Sequence, residues 1–145
     1  MISRKYISKF EGGHYVDTIK MTGRQAIAAQ QALQVLGRKP IKIAGAVRVA
    51  KALQELATVT GVIEDRRRGL LEKWSVKDEA GKLVTDEAGN ATFSDGDQER
   101  FGEDYNDLMA EDIEIQVQPV AVRDLGEIEI EPAMLAPLVA VGLIE

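Results

Sequence analysis

From Ala46 to Trp74 the chain places side chains at an unbroken three-four spacing: Ala46, Val49, Leu53, Leu56, Thr60, Ile63, Arg67, Leu70 and Trp74. That period keeps one face of an α-helix toward a partner over about four heptads. At 1.5 Å per residue the helix would be about 45 Å long. A helix of that length is exceptional in a chain of 145 residues. Its apolar face has to be covered, so it predicts a helical hairpin, a bundle or an oligomer. Val49, Leu53, Leu56, Ile63, Leu70 and Trp74 are the expected seam. Gly61 and Gly69 lie inside the helix, each costing about 1 kcal/mol relative to alanine. They predict either a kink near Gly61 or a close approach by a neighbouring backbone. Thr60 is expected to be a small residue where helices approach.

The flanks supply shorter elements. Thr22 is a good N-cap for a helix over about Gly23 to Leu36, because its hydroxyl can accept from an orphan N–H. Ile27, Ala28, Ala32, Val35 and Leu36 would form its buried face. Gly37 sits at the C′ position and Pro40 blocks continuation. After Trp74 a tetrapeptide repeats: Asp78-Glu79-Ala80-Gly81 recurs eight residues later as Asp86-Glu87-Ala88-Gly89. Each is a turn signal closed by glycine, which predicts a β-hairpin or three-strand meander at the tip of the helical hairpin. A third helix is expected from about Asp95 to Glu111, capped by Ser94 or Asp95. Its stripe of Phe101, Tyr105 and Leu108 would face Leu70, Ile63 and Leu56. Residues 112–122 alternate as a half-buried strand that Pro119 ends. Residues 127–131 read as a second short strand, and Pro132 opens a final helix through Leu135, Leu138, Val139, Leu143 and Ile144.

Residues 1–20 are mixed, with anchors at Tyr6, Ile7, Phe10, Tyr15, Val16 and Ile19 and a turn at Gly12-Gly13. They read as an irregular N-terminal arm, able to dock on a neighbouring subunit, or as a short hairpin, followed by a single helical-hairpin domain over residues 21–145.

Composition narrows the chemistry. Aromatic residues make up 5% of the chain, so the core is mostly aliphatic and suits helix packing. With no cysteine, disulfides, thiol nucleophiles and cysteine-ligated metals are excluded. The net charge of -6 disfavours broad phosphate-backbone binding, which needs clustered Lys and Arg. No apolar run reaches the length of a membrane span, and no secretory leader is expected.

Catalytic and metal motifs are missing. The chain has no GxxxxGK[ST], GxSxG or HExxH, and its single histidine, His14, lacks a second ligand at metal spacing. The acidic stretch around Asp95 and Asp97 does not fit a calcium loop, because its glycine falls at the wrong position. No catalytic, cofactor or metal residue is assigned. The most pointed polar feature is the triplet Arg66, Arg67 and Arg68. As a structural device, Arg67 on the seam would pair with Asp104 or Asp107 and set helix register. As a ligand site, the three arginines with His14 and Tyr15 would contact an anion such as a nucleotide.

The order of parts resembles a small protein family of tailed bacteriophages and prophages. The resemblance rests on the capped short helix, Leu36 followed by Pro40-Ile41-Lys42-Ile43, and the long helix with Ala50-Lys51-Ala52-Leu53. It continues through the DEAG turns, the acidic helix, Ile113-Glu114-Ile115, Ile128-Glu129-Ile130-Glu131-Pro132 and a closing apolar helix. It covers residues 21–145 and is architectural. It implies a virus-encoded protein made in the host bacterial cytoplasm, and it carries over no active-site residue.

The expected fold is therefore α+β, mainly α: a long antiparallel, prefoldin-like helical hairpin with a β-tip, plus a small β-element and a C-terminal helix. Exposed flanks on two helices predict a homo-oligomer, a dimer in the simplest case. The expected function is non-enzymatic, acting through protein–protein contacts in phage assembly or in the virion. The alternative is a host-directed binder: an inhibitor of a host or defence protein, or a sponge for a signalling nucleotide. No cofactor, membrane or nucleic-acid partner is expected.

Overall fold

The computed structural model describes the backbone of residues 8–11, 14 and 15, and residues 16–145 in full. The fold is α+β and mainly helical. The chain divides into two compact units, Met1–Thr60 with Asp112–Glu145, and Gly61–Glu111. The boundary falls within the long helix. Residues far apart in sequence share the core of the first unit, while the segment between them folds on itself.

The first unit holds strands β1 (Ser8–Glu11), β2 (His14–Thr22) and β3 (Asp112–Val117), in the sheet order β1-β2-β3. Both pairings are antiparallel, and β2 meets β3 from Asp17 opposite Val117 to Thr22 opposite Asp112. Alternation sorts the faces: Ile19, Met21, Ile115 and Val117 are buried while Lys20, Glu114 and Gln116 are exposed. Residue 20, the expected boundary, falls inside the central strand, and the antiparallel pairing of β1 with β2 matches the short-hairpin reading rather than the irregular arm. The turn expected at Gly12-Gly13 lies outside the described residues, as do Tyr6 and Ile7.

Helix α1 (Gly23–Leu36) begins where Thr22 predicts. The Thr22 hydroxyl accepts from the Gln25 N–H and the Gln25 side chain accepts from the Thr22 N–H, completing a capping box. Its buried face is Ala26, Ala29, Ala32, Leu33 and Leu36, turned from the expected one so that alanines meet the core. Gly37 is right-handed, at φ -66°, so the stop comes from Pro40 rather than a left-handed cap. Helix α4 (Pro132–Val141) opens on proline and ends at Gly142, φ 85°. The Leu143 N–H donates to the Leu138 carbonyl at 2.9 Å, the long bond of a Schellman motif. The chain after it pairs with residues 120–122, Val120 N–H to Leu143 O at 2.8 Å and Glu145 N–H to Val120 O at 3.0 Å. The strand expected over 127–131 does not form. Ile128 and Ile130 instead pack as irregular chain against the core.

Helix α2 (Ile43–Trp74) is the long helix, running unbroken through Gly61 and Gly69. A Cβ at either glycine would meet nothing within 4 Å, so no neighbouring backbone closely approaches them. Val49, Ala52 and Leu56 are 2%, 1% and 0% exposed and belong to one core with α1, α4 and the sheet. One copy of the chain buries this part of the seam, so its apolarity no longer argues for a second copy.

The second unit contains the end of α2, a β-tip and helix α3 (Asp97–Ala110). The tip is neither a plain hairpin nor a meander. Val76, Val84 and Thr92, eight residues apart, bond in a closed triangle. Val76 N–H donates to Thr92 O at 2.8 Å, Val84 N–H to Val76 O at 2.9 Å, and Thr92 N–H to Val84 O at 3.0 Å. Two DEAG loops are leaves of this three-fold clover, and Ser75 opposite Phe93 closes its stem. The leaves match bond for bond. Asp78 Oδ1 accepts from the Ala80 and Lys82 N–H groups, both at 2.9 Å, and Asp86 Oδ1 from Ala88 and Asn90 at 3.0 and 2.9 Å. Gly81 and Gly89 take φ 80° and 83°, which glycine adopts without strain. Such short arms cannot extend into strands, so the sequence repeat becomes a rotational one. Asp86→Ala removes two bonds and is expected to cost about 1 kcal/mol in an exposed loop, measured by urea unfolding. Ser94 and Asp95 form a turn instead, the Asp97 N–H donating to the Ser94 carbonyl at 3.0 Å, and the N-cap of α3 is Gly96, φ 82°, with no side-chain cap.

Candidate functional site

The end of α2 and helix α3 run antiparallel. The Trp74 indole N–H donates to Asp104 Oδ2 at 2.8 Å, and Arg66 Nη1 meets Glu111 Oε2 at 3.2 Å. Phe93, Phe101 and Tyr105 form a ring ladder at centroid spacings of 5.3 and 5.8 Å. Lys73 and Arg100 lie over the Trp74 ring at 4.8 and 5.6 Å. Ile63, Leu108 and Met109 are buried.

Between the two helices lies an open groove of about 420 Å³, lined by Arg66, Gly69, Leu70, Asp104, Asp107, Leu108 and Glu111. Two spacings build it. Asp104 and Asp107 lie three residues apart on one face of α3, and Glu111, which ends the helix, follows four residues later. Arg66 and Leu70 are one turn apart on α2, and Gly69 contributes no side chain to fill the space. The result is a leucine floor with three carboxylates and one guanidinium. Asp104 is engaged by Trp74, with Lys73 Nζ at 4.0 Å, and Glu111 by Arg66. Asp107 has no ion-pair or hydrogen-bond partner among the described residues.

The arginine triplet does not converge. Arg66 pairs with Glu111 across the groove. Arg67 pairs with Glu64 on its own helix, through Nε at 3.0 Å and Nη2 at 2.7 Å, rather than with Asp104 or Asp107. Arg68 Nε lies 3.8 Å from Glu64. The nearer acid wins because Glu64 shares the α2 surface three residues away. The hydrogen bonds from Arg67, helped by the charges of Arg67 and Arg68, hold the Glu64 carboxyl below its ordinary value against the opposing effect of partial burial. The same bonds raise Arg67. A depressed carboxylate stabilises the fold above its unfolded pKa and loses that contribution as pH falls through the folded one. Both side chains are more than a third exposed, so Glu64→Gln should cost under about 0.5 kcal/mol at neutral pH. The difference should vanish in acid, as read from urea midpoints across pH.

His14 and Tyr15 belong to β2, and nothing of their side chains is described. Of the expected seam, Val49 and Leu56 are buried and Leu53 half-buried in the first unit, while Ile63 is buried and Leu70 and Trp74 are half-buried in the second. Leu56 belongs to the core of the first unit, and Phe101 and Tyr105 of the α3 stripe stack in the ladder with Phe93. Asp107 and Glu111 as groove walls were missed by the sequence reading. Their three-four spacing around Leu108 was the available signal. No group of three metal-ligating side chains occurs among the described residues, and no described helix is long and apolar enough to cross a membrane. Comparison with protein-family models, curated proteins and solved structures finds no match.

Proposed function

We propose that the chain is a bacteriophage protein that acts without catalysis, through protein–protein contacts, as an assembly factor or virion component. The acid-walled groove of the second unit carries this reading. A phosphate entering it would gain one guanidinium already shared with Glu111 and would meet Asp104 and Asp107. Like charges at that range repel, so a nucleotide is the wrong occupant and a cationic protein segment the right one. The wider charge pattern agrees. Gly61–Glu111 contains 14 acidic and 7 basic side chains, while the rest of the chain contains 10 and 11. Acid so concentrated selects basic partners and speeds their approach.

The antiparallel pairing under a β-tip supports the prefoldin-like comparison in kind, with α3 at 14 residues against 32 for α2. The phage origin rests on the resemblance in the order of parts along the sequence, from the capped α1 through the DEAG loops to α4. Quantitative mass spectrometry of purified virions tests the reading. The chain is expected at a fixed ratio to the major structural proteins. Its absence from virions, with one host protein recovered stoichiometrically on it, would overturn the structural role in favour of a host-directed binder.

A further inference from the structure

The groove has an unpaired carboxylate, an apolar floor and a length set by α3. Asp104 to Glu111 spans about 10 Å at helical rise, which three or four extended residues cover. The chain carries one stretch of matching chemistry. Residues 1–10 contain Arg4, Lys5 and Lys9 and no acid, and the two adjacent cations are flanked by Ile2, Tyr6 and Ile7. Residues 1–7 lie outside the described part of the chain and lead into β1, the outer strand of its sheet.

We propose that residues 2–7 of one copy occupy the α2–α3 groove of a second copy. Arg4 and Lys5 face Asp107 and Asp104, and neighbouring apolar side chains cover Leu70 and Leu108. This rests on reading the chain as a protein-contact module, and it names the contact. A segment of each copy enters the groove of the other, so the exchange is reciprocal, the interface isologous, and the pair closes as a two-fold dimer. Its ion pairs are exposed at the rim and screened by salt, so association weakens as ionic strength rises.

Sedimentation of the full-length chain at low and high salt tests this. The wild type should self-associate at low salt and dissociate at high salt. Arg4→Glu with Lys5→Glu should weaken association at least about tenfold, and so should Asp107→Lys, an exposed change that breaks no bond in the fold. Circular dichroism verifies that both variants are folded. The decisive result is a mixture. Each variant alone is monomeric, but together they form a mixed pair, because one groove and one segment remain intact between them. A monomeric wild type at low salt overturns the proposal, as does undiminished association of both variants. A chain monomeric in solution but stoichiometric in virions overturns this occupant and leaves the proposed function standing.

Discussion

Leu56→Ala is expected to destabilise the chain by about 2–5 kcal/mol, the range for a leucine lost from a core that cannot collapse around the gap. Leu56 is fully buried and shares a core with α1, α4 and the sheet. Leu70→Ala, on the same helical seam, should cost less, because Leu70 is half-buried beside an open groove. Urea unfolding of the two variants measures the difference. Equal losses would mean that the seam serves one uniform interface along its length, and the division into two units would be wrong.

Two glycines of α2 should respond with opposite signs. A Cβ on Gly45 would come within 2.5 Å of the Asp124 carbonyl oxygen, a backbone atom that cannot swing aside. The contact is fixed further by Arg48, whose Nη1 donates to Asp124 Oδ2 at 2.7 Å. Gly45→Ala should therefore cost about 1–3 kcal/mol through overpacking. Gly61 has open space around it, so Gly61→Ala should gain about 1 kcal/mol from helix propensity alone. Thermal melting of the pair checks both signs. A loss at Gly61 would show that another backbone does approach it.

Local signals were legible where one or two residues decide the structure. Thr22 marked the start of α1, Pro132 that of α4, and the period from Val49 to Trp74 gave α2 nearly to its ends. The DEAG repeat announced its turns, but not that Val76, Val84 and Thr92 would bond as a triangle. That closure depends on three backbones meeting, and a linear pattern does not encode it. Ile128 and Ile130 alternate like a strand, yet they pack as irregular chain against the core. The seam was read as one surface because periodicity records which residues share a face and not what covers it. The core over Leu56 is completed by Ile115, Leu138 and Leu143, some sixty to ninety positions away. The arginine triplet stood out by composition, whereas the groove depended on Asp104, Asp107 and Glu111, ordinary acids in an acidic helix until α2 lies beside them.

The central claim is that the groove repels anions and receives protein. Native mass spectrometry of the full-length chain purified without denaturation, then incubated with a panel of nucleotides, tests it most directly. Polypeptide mass alone is expected, in monomers and dimers whose ratio depends on salt. A stoichiometric adduct of nucleotide size, lost in Arg66→Ala, would contradict it and make the groove a ligand site.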